Sequence, residues 1–313
     1  MNTIFTRLSL ALLTTLLIFT PRSTHACACG CAVFDVGTSY NFPNGPGGML
    51  YGEYNFVSQS QNWNNLSPSA AGNNDDKLLQ TSWMTAGFQY FWNNKWGAEL
   101  IVPSANRIYN RANNDPDAPA GSTITTKWWS MGDVRLSGYY TGFSADMSTG
   151  ISYGVKLPTG SWTQPNVDRD NQIGTGSTDL LLGFFTRHHF TRSQQWSWFV
   201  QAQLDAPVII TSGYRPGIEV DTAAGVYYTG WHLGKVKIRP IAQAIISNRA
   251  SDSGWAANPQ NTGYQRVMLS PGIEFDIHPI RIYADAELPV INSVVGQQLV
   301  SQCMVKVNLS YMF

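Results

Sequence analysis

The chain has 313 residues, and its 20 Lys and Arg balance its 20 Asp and Glu, so the formal net charge at pH 7 is zero. That balance excludes the strongly basic surface typical of proteins that bind nucleic acid. Charged residues make up only 13% of the sequence, about half of their share in an ordinary soluble domain. Aromatic residues reach 12%, with 11 Trp and 14 Tyr, which is typical of membrane barrels that carry aromatic girdles at both interfaces.

The N-terminal residues have the pattern of a secretory signal peptide. Arg7 precedes an apolar run, 8–19, which has the length of a signal sequence and is too short for a membrane-spanning helix. Small residues place the cleavage site after Ala26 or after Ala28. We therefore expect a signal peptide over 1–26, a periplasmic segment over 27–47 and the folded domain over 48–313.

Three cysteines open the expected periplasmic segment. Cys27, Cys29 and Cys31 alternate along the chain, and thiolates in this spacing could bind a soft ion such as Cu(I) or Zn(II). The alternatives are a disulfide, which is normal in an oxidising compartment, and a lipid on Cys27. We favour the disulfide or the lipid over the metal, and we expect no other cofactor.

Alternation of apolar and polar residues predicts about twelve strands in the remaining chain. No later segment is continuously apolar over the roughly 18 residues that a membrane helix needs, so any crossing must use closed β-structure. The predicted strands are 48–59, 79–92, 95–105, 125–141, 145–158, 176–190, 194–206, 217–230, 235–248, 262–277, 279–290 and 297–313.

The connections between these strands alternate in length. Long polar connections follow the odd-numbered strands, and short turns follow the even-numbered ones, as in outer-membrane barrels with long extracellular loops. An even strand number places both termini in the periplasm. The long connections are 60–78, 106–124, 159–175, 207–216, 249–261 and 291–296; the short turns are 93–94, 142–144, 191–193, 231–234 and 278.

The last predicted strand shows the alternation most clearly. One face carries mostly apolar or aromatic residues and is expected to face lipid: Leu299, Ser301, Cys303, Val305, Val307, Leu309, Tyr311 and Phe313. Its aromatic end, Tyr311 and Phe313, resembles the C-terminal assembly signal of bacterial outer-membrane barrels. We therefore expect the chain to be recognised by the barrel-assembly machinery of a Gram-negative bacterium and to lie in outer-membrane lipid.

The opposite face of the predicted strands carries the charges, because a charge facing lipid at mid-membrane would cost several kcal/mol. The expected interior acids are Glu99, Asp133, Asp179, Asp205, Glu219, Asp221, Glu274, Asp276, Asp285 and Glu287. The expected interior bases are Arg135, Lys156, Arg187, Lys237, Arg239, Arg266, Arg281 and Lys306.

Two pairs of segments resemble a known family. Residues 155–160 (VKLPTG) and 174–179 (GTGSTD) resemble the strand–loop–strand core of the phenol-degradation meta-pathway family of outer-membrane proteins, which are similar to aromatic-hydrocarbon uptake channels. Residues 287–290 (ELPV) and 296–299 (GQQL) resemble the closing hairpin of that family. The resemblance implies an all-β transmembrane barrel, and it marks Lys156 and Asp179, which flank the connection 159–175.

The function expected from these observations is passive movement of a small solute, apolar or aromatic in character, and not an enzymatic reaction. A structural barrel that presents the cysteine segment to a redox or metal-binding partner is the main alternative; a barrel-embedded hydrolase is a weaker one, since no Gly-x-Ser-x-Gly motif occurs. The oligomeric state stays open. The candidate solute-path residues are Lys156, Asp179, Trp162, Arg169, Arg266, Glu274, Arg281, Asp285, Glu287 and Lys306.

We predict that Cys27→Ser, Cys29→Ser and Cys31→Ser together leave barrel folding unchanged, because the three residues precede the first strand. Intact mass and thiol titration of the mature protein should show a disulfide or a lipid, with Cys303→Ser as the control that removes only the remaining thiol. Stoichiometric copper or zinc in protein purified without added metal would contradict this and favour the metal site.

Overall fold

The backbone of the described chain forms one antiparallel sheet that closes on itself. The computed structural model describes residues 45–313 except 114 and 191–193, so the expected signal peptide, Cys27, Cys29 and Cys31 lie outside the described residues. Within that part of the chain, no helix has the length and apolar character needed to span a membrane.

The sheet contains fifteen strands among the described residues. In chain order they are β1 Gly47–Asn64, β2 Ser67–Pro68, β3 Asp76–Phe91, β4 Trp96–Ala112, β5 Thr123–Met131, β6 Val134–Tyr140, β7 Thr149–Leu157, β8 Thr178–His189, β9 Trp196–Ile209, β10 Glu219–Tyr228, β11 Trp231–Leu233, β12 Val236–Arg249, β13 Tyr264–Ile277, β14 Ile280–Val294 and β15 Gln297–Met312. Three short 3-10 turns, Ala71–Asn73, Arg169–Asn171 and Pro259–Asn261, lie in the connections.

Twelve of these strands form the barrel wall. The pairing runs from β10 through β9, β8, β7, β6, β4, β3, β1, β15, β14 and β13 to β12, and β12 pairs with β10 to close the ring. The other three strands, β2, β5 and β11, extend single neighbours. The prediction of a twelve-stranded antiparallel barrel is confirmed. Closure matters because every backbone group in lipid must find its partner within the chain.

The two ends of the barrel differ in their connections. At one end, which we call the loop end, lie the connections 65–75, 113–122, 158–177, 210–218, 250–263 and 295–296; at the other, the turn end, lie the shorter turns and the last residue, Phe313. The predicted turn 191–193 lies outside the described residues.

Side chains alternate between the two faces of the wall. In β15, Val305, Val307 and Leu309 are 40%, 40% and 55% exposed, whereas Lys306 and Asn308 between them are 1% exposed. A strand with this period presents one apolar face outward and one polar face inward. The outward face of the barrel is therefore the lipid-facing surface expected of a membrane barrel.

The predicted strand 125–141 is two strands. β5 pairs with the loop-end half of β4, and β6 pairs with its turn-end half. The break falls at Gly132 and Asp133, where the Gly132 N–H donates to the Pro103 carbonyl at 2.8 Å. A Cβ at Gly132 would lie 3.0 Å from the Pro103 ring and 3.1 Å from the Trp83 ring, so these two side chains would have to shift to accept a larger residue.

The predicted connection 291–296 is wrong. β14 continues to Val294 and β15 begins at Gln297, so Val295 and Gly296 alone form the turn. Gly296 has a φ of +66°, which glycine adopts without strain. The first two hairpins at the loop end, β1–β3 and β4–β5, also extend beyond their predicted bounds, because both faces of a strand above the membrane can be polar and the alternation disappears.

The register of β15 changes within the strand. The pairing with β1 shifts between Val57 and Gln59 and again between Gln59 and Gln61, which are β-bulges. Leu299 and Ser301 are therefore buried, 2% and 3% exposed, and their predicted position on the lipid face is wrong. Cys303, which lies within the first of these bulges, is partly exposed.

The barrel interior is filled by side chains that include many apolar ones. Tyr51, Phe185 and Phe199 from three strands are at most 6% exposed and belong to one cluster inside the wall. The other buried members are Met49, Val57, Ala223, Tyr227, Ile241, Ile245, Met268, Tyr283 and Met304. The inward positions of Tyr51, Phe185 and Phe199 were not predicted, because an aromatic residue in a membrane strand can face either lipid or lumen.

The chain's last residue closes the seam between β1 and β15 at the turn end. Gly48 donates to the Phe313 carbonyl at 2.8 Å and accepts from the Phe313 N–H at 2.9 Å. The Phe313 ring, 58% exposed, stacks near Tyr311 and Phe88 at centroid distances of 6.4 and 6.5 Å. The ring thus belongs to an aromatic row on the outer surface.

We predict that Phe313→Ser lowers the yield of assembled barrel several-fold, because it removes the aromatic end of the alternating face while leaving the backbone seam intact. The measurement is the heat-modifiable band of the barrel in electrophoresis of isolated outer membranes. The control is Phe143→Ser, which removes a ring of similar exposure, 61%, from the turn end away from the seam. Equal yields for parent and Phe313→Ser would contradict the assembly role.

Candidate functional site

A network of four charges spans four neighbouring strands inside the barrel wall. Lys156 on β7 forms ion pairs with Asp179 on β8 and with Asp205 on β9, the latter at 2.9 Å. Arg135 on β6 approaches Asp205 at 3.7 Å. We call these four residues the inner charge network; its two acids and two bases balance.

The strand register brings this network together. Arg135 pairs with Lys156 across β6 and β7, and Lys156 pairs with Asp179 across β7 and β8. Asp179 is fully buried, Lys156 is 7% exposed and Asp205 is 8% exposed. Water therefore screens these pairs weakly, and loss of one partner would leave an uncompensated buried charge, which costs several kcal/mol.

A second network lies closer to the turn end, on β12, β13 and β14. Arg239 pairs with Glu274 and, at 2.9 Å, with Asp276. Arg281 approaches Asp276 at 3.5 Å. Because the two arginines share two carboxylates, this network also balances its charges within the lumen.

A third group of polar residues lies on the β13–β15 side of the interior. The Asp285 carboxylate accepts hydrogen bonds from the Tyr283 hydroxyl at 2.7 Å and from the Ser270 hydroxyl at 2.8 Å. Lys306, 1% exposed, lies 3.8 Å from Glu287. These contacts satisfy polar groups that would otherwise be costly to bury.

Arg266 lies nearer the loop end, with its guanidinium 3.7 Å from the centre of the Tyr264 ring. The Tyr264 hydroxyl donates to Glu219. A guanidinium over an aromatic face gains a cation–π attraction, so Arg266 is held against the wall on which Tyr264 lies.

The long connection 158–177 is tied to the wall at the strand break. The Asp133 carboxylate accepts from the Gly160 N–H at 2.9 Å, the Thr175 N–H at 2.7 Å and the Thr175 hydroxyl at 2.6 Å. Charge-assisted hydrogen bonds of this kind are stronger than neutral ones. Both ends of the connection are therefore anchored to one carboxylate.

The middle of the same connection packs against β3 and β4. Arg107 donates to the carbonyls of Asn171 and Gln172 at 2.7 and 3.1 Å. Ile173, 5% exposed, belongs to an apolar cluster with Tyr109 and Trp128. The connection thus folds inward over the loop end of the barrel.

Arg169 joins this connection to the connection 210–218, and Tyr214 joins that one to 250–263. Its guanidinium lies 4.6 Å from the Trp162 ring centre and 4.5 Å from that of Tyr214, and it donates to the Thr175 carbonyl at 2.6 Å. The Tyr214 hydroxyl donates to Asp252 at 2.6 Å. Burial lowers the pKa of Arg169 from its ordinary value, and the nearby carboxylates favour its charged form.

The structure places the predicted interior charges on the inner face with few differences. All ten expected acids are buried, as are Arg135, Lys156, Arg266, Arg281 and Lys306. Arg187 and Arg239 are partly exposed, and Lys237 is exposed at the turn end. Their role in a solute path stays a prediction.

Two features of the site were not predicted. Asp205 and Arg135 were expected to be interior charges, but not to share the Lys156 ion pair. Trp162 and Arg169 were predicted to meet a solute, which stays a prediction; what was not predicted is that the Arg169 guanidinium lies over the Trp162 ring and donates to the Thr175 carbonyl. In the sequence, the one signal of a compact connection is the pair of glycines at 160 and 174, which allow two backbone segments of 158–177 to approach closely.

Comparison with known proteins supports the fold. No protein-family model matches the sequence, and no curated protein matches it. An outer membrane channel from Pseudomonas putida F1 matches in structure with a TM-score of 0.64 at 10% identity, covering 86% of this chain and 96% of that one. The β-domain of the Bordetella autotransporter BrkA matches with a TM-score of 0.52 at 11% identity, covering 86% of this chain and all of that one, 100%.

A third similarity is weaker. The CymD monoaromatic hydrocarbon channel matches with a TM-score of 0.42 at 12% identity, over 86% of this chain and 89% of that one, and a similarity of this size carries no argument about the solute. The two better matches, at 10% and 11% sequence identity, show that this chain has the fold of an outer-membrane β-barrel.

We predict that Gly174→Ala loosens the connection 158–177. The new Cβ would lie 2.4 Å from the Gly160 backbone, and overpacking of this kind costs about 1–3 kcal/mol. Trypsin cleavage after Arg169 should then accelerate by about tenfold or more, because the open loop becomes more populated.

The control for this experiment is Gly52→Ala, since a Cβ at Gly52 meets no atom within 4 Å. Both variants are digested in the folded state, and the cleaved bond is identified by mass. Cleavage at the parental rate in Gly174→Ala would show that the glycine contact does not hold the connection.

Proposed function

We propose that this protein is an outer-membrane channel through which a small solute moves passively, with the loop end outside the cell and both ends of the chain in the periplasm. The observation that carries the proposal is the inner charge network: Arg135, Lys156, Asp179 and Asp205 line the interior of a closed barrel at the level where the connection 158–177 covers it. Buried ion pairs often add no stability over well-packed apolar residues of similar volume, which favours a role for these charges in the path.

The dense interior supports a narrow path. A twelve-stranded barrel is wider than the eight-stranded barrels that side chains fill, and narrower than general porins with open aqueous channels. Here the interior holds the charge networks together with the apolar cluster around Tyr51, Phe185 and Phe199. We infer that a solute passes only by displacing side chains, which favours small solutes.

The solute class we propose is apolar or aromatic, in keeping with the family resemblance of residues 155–160 and 174–179. The aromatic and methionine side chains of the interior offer such a solute contacts on the path. Swelling of liposomes that contain the protein, compared across sugars, amino acids and small aromatic compounds, would test this class directly.

The same dense interior favours a second candidate, a structural barrel that conducts nothing and presents the N-terminal cysteine segment. Conductance separates the two candidates. Folded protein that leaves planar bilayers electrically silent would support the structural barrel and reject the channel.

We predict that Lys156→Ala raises the preference of the channel for cations by about fivefold, because a unit charge acts on an ion about 4 Å away with about 1 kcal/mol in water. The variant loses one positive charge from a balanced network. Lys156→Ala combined with Asp179→Ala should largely restore the parental selectivity. The measurement is the reversal potential under a salt gradient in planar bilayers.

The control is Lys235→Ala, which removes an exposed lysine from the turn between β11 and β12. It should conduct with the parental reversal potential. If Lys156→Ala and the double variant also keep the parental value while conducting normally, the inner charge network does not line the path.

A further inference from the structure

A tyrosine on the inner wall bridges two carboxylates at the loop end of the barrel. Tyr109 lies on β4 and is 1% exposed. Its hydroxyl is within hydrogen-bonding distance of Asp76 on β3 and, at 2.9 Å, of Asp168 in the connection 158–177. The amide of Asn171, in the same connection, donates to the second oxygen of Asp76 at 3.2 Å. We call Asp76, Tyr109 and Asp168 the carboxylate bridge, because together they join the connection to the wall.

The carboxylate bridge lacks one hydrogen-bond donor when both of its carboxylates are charged. A phenol has a single O–H donor, and an ionised carboxylate only accepts, so Tyr109 donates to Asp76 or to Asp168 but not to both. The remaining contact would place a negative oxygen against a lone pair of the phenol oxygen. One added proton removes this conflict, because a protonated carboxyl group donates to the phenol oxygen while the phenol donates to the other carboxylate.

Asp76 is better placed than Asp168 to take this proton. It is the first residue of β3 and lies at the loop end, outside the lipid-facing part of the wall. Burial raises the pKa of Asp76 above its ordinary value, and the charge of Asp168 adds to that shift, while hydrogen bonds from Tyr109 and Asn171 oppose it. Burial also raises the pKa of Tyr109, so the phenol keeps its own proton. Both carboxylates line a cavity, and Asp168 is exposed, so protons reach the bridge from solvent at the loop end.

Other titratable and charged groups face the bridge from each neighbouring segment: Asp75 and Lys77 beside β3, Arg107 and Arg111 on β4, Arg169 and Asp170 in 158–177, and Tyr214 in 210–218. Arg111 is opposite Asp76 in the register of β3 and β4 and favours its charged form, whereas Asp75 favours the protonated form. Lys77 and Arg107 donate to backbone carbonyls, and the Arg169 guanidinium lies between two aromatic rings. Because these bases direct their donors to other groups, an added proton is the source of the second donor in the bridge.

We propose that one shared proton fastens the connection 158–177 to the wall at the carboxylate bridge, and that the middle of the connection is released as the pH rises. A group whose pKa is higher in the fastened state stabilises that state fully below its ordinary pKa, about 3.9 for Asp. This stabilisation is lost as the pH rises through the raised pKa. The Asp133 contacts hold both ends of the connection, so the release concerns its middle.

The consequence for transport rests on the proposed function. In such a channel, the middle of the connection covers the path more firmly in acid, so conductance should be lower in acid than at neutral pH. The release of the connection is measured without transport, which keeps the bridge separable from the channel.

The experiment follows hydrogen exchange of the assembled protein in detergent from pH 4 to pH 9 by mass spectrometry. Labelling times are scaled to the chemical exchange rate at each pH, so that protection factors can be compared. We expect the protection factors of 163–174 to fall at least about tenfold as the pH rises, which corresponds to the loss of one hydrogen bond to a charged group. Those of β12 and β13 should stay constant.

Two variants separate a shared proton from a merely structural contact. Asp76→Asn carries a permanent N–H donor in place of the proton, so 163–174 should keep the acid level of protection up to pH 9. Tyr109→Phe removes the bridging phenol, so protection should be at least about tenfold lower already at pH 4, as expected for one lost hydrogen bond, and should not change with pH. Asp117→Asn, which removes an exposed carboxylate from the connection 113–122, is the control and should keep the parental profile.

Two outcomes would overturn the proposal: a parental protection of 163–174 that does not change between pH 4 and pH 9, or protection in Asp76→Asn that is lost at every pH. The parental profile needs no variant, so a variant that fails to fold does not spoil the test. A barrel that is silent in planar bilayers but loses protection as the pH rises would reject the channel and support the carboxylate bridge. A barrel that conducts with unchanged protection would reject the bridge alone.

Discussion

Backbone hydrogen-bond closure is the constraint on which the rest of this structure depends. An unpaired N–H or C=O in lipid costs several kcal/mol, so a sheet in the membrane must have no free edge. The pairing of β10 with β12 and that of β1 with β15 meet this requirement. At the turn end the seam is completed by two hydrogen bonds between Gly48 and Phe313.

Closure then decides where the charges lie. Successive side chains of a strand point to opposite faces, so each charged residue within the membrane must point into the barrel. The interior is too narrow to hydrate all of them, and they pair across neighbouring strands instead. Lys156 contacts carboxylates on both of the next two strands, and Arg239 contacts two on one strand.

These pairs limit what the lumen can transmit. Asp179 is a fully buried carboxylate. Separating it from the Lys156 ammonium is costly, because little water is present to solvate either charge once the ion pair is broken. In the proposed channel, a solute would therefore have to carry groups that substitute for the broken contacts or slide along the apolar cluster beside them. Interior packing of this density would then select solutes by size as well as by charge.

Much of this fold could be predicted from the sequence, because membrane strands have a strict period of two. The ring of twelve strands, the two kinds of barrel end and the inward charges follow from that period. Lys156 and Asp179 were predicted to lie together because they flank one connection. Their third partner, Asp205, lies one strand further on. The alternation of apolar and polar residues does not reveal how neighbouring strands are shifted along each other, so the contact of Asp205 with Lys156 could not be predicted.

Other features depend on contacts distant in sequence. The break between β5 and β6 at Gly132 and Asp133 leaves the Asp133 carboxylate to accept hydrogen bonds from the connection 158–177. That contact joins residues far apart in the sequence. The bulges between Val57 and Gln61 change the register, so Leu299 points inward, where it joins Tyr109 and Ile173. Phe185 and Phe199 face the lumen, although any single strand would suggest that an aromatic residue faces lipid.

The connection 158–177 is held over the loop end of the barrel by two kinds of contact. The Asp133 carboxylate accepts hydrogen bonds from both of its ends, and Arg107 donates to the carbonyl of Asn171 in its middle. Ile173 adds an apolar contact, because it packs in the buried cluster on the inner wall. Any movement that lifts the connection must therefore break charge-assisted hydrogen bonds and expose an apolar side chain at the same time, and the two costs add.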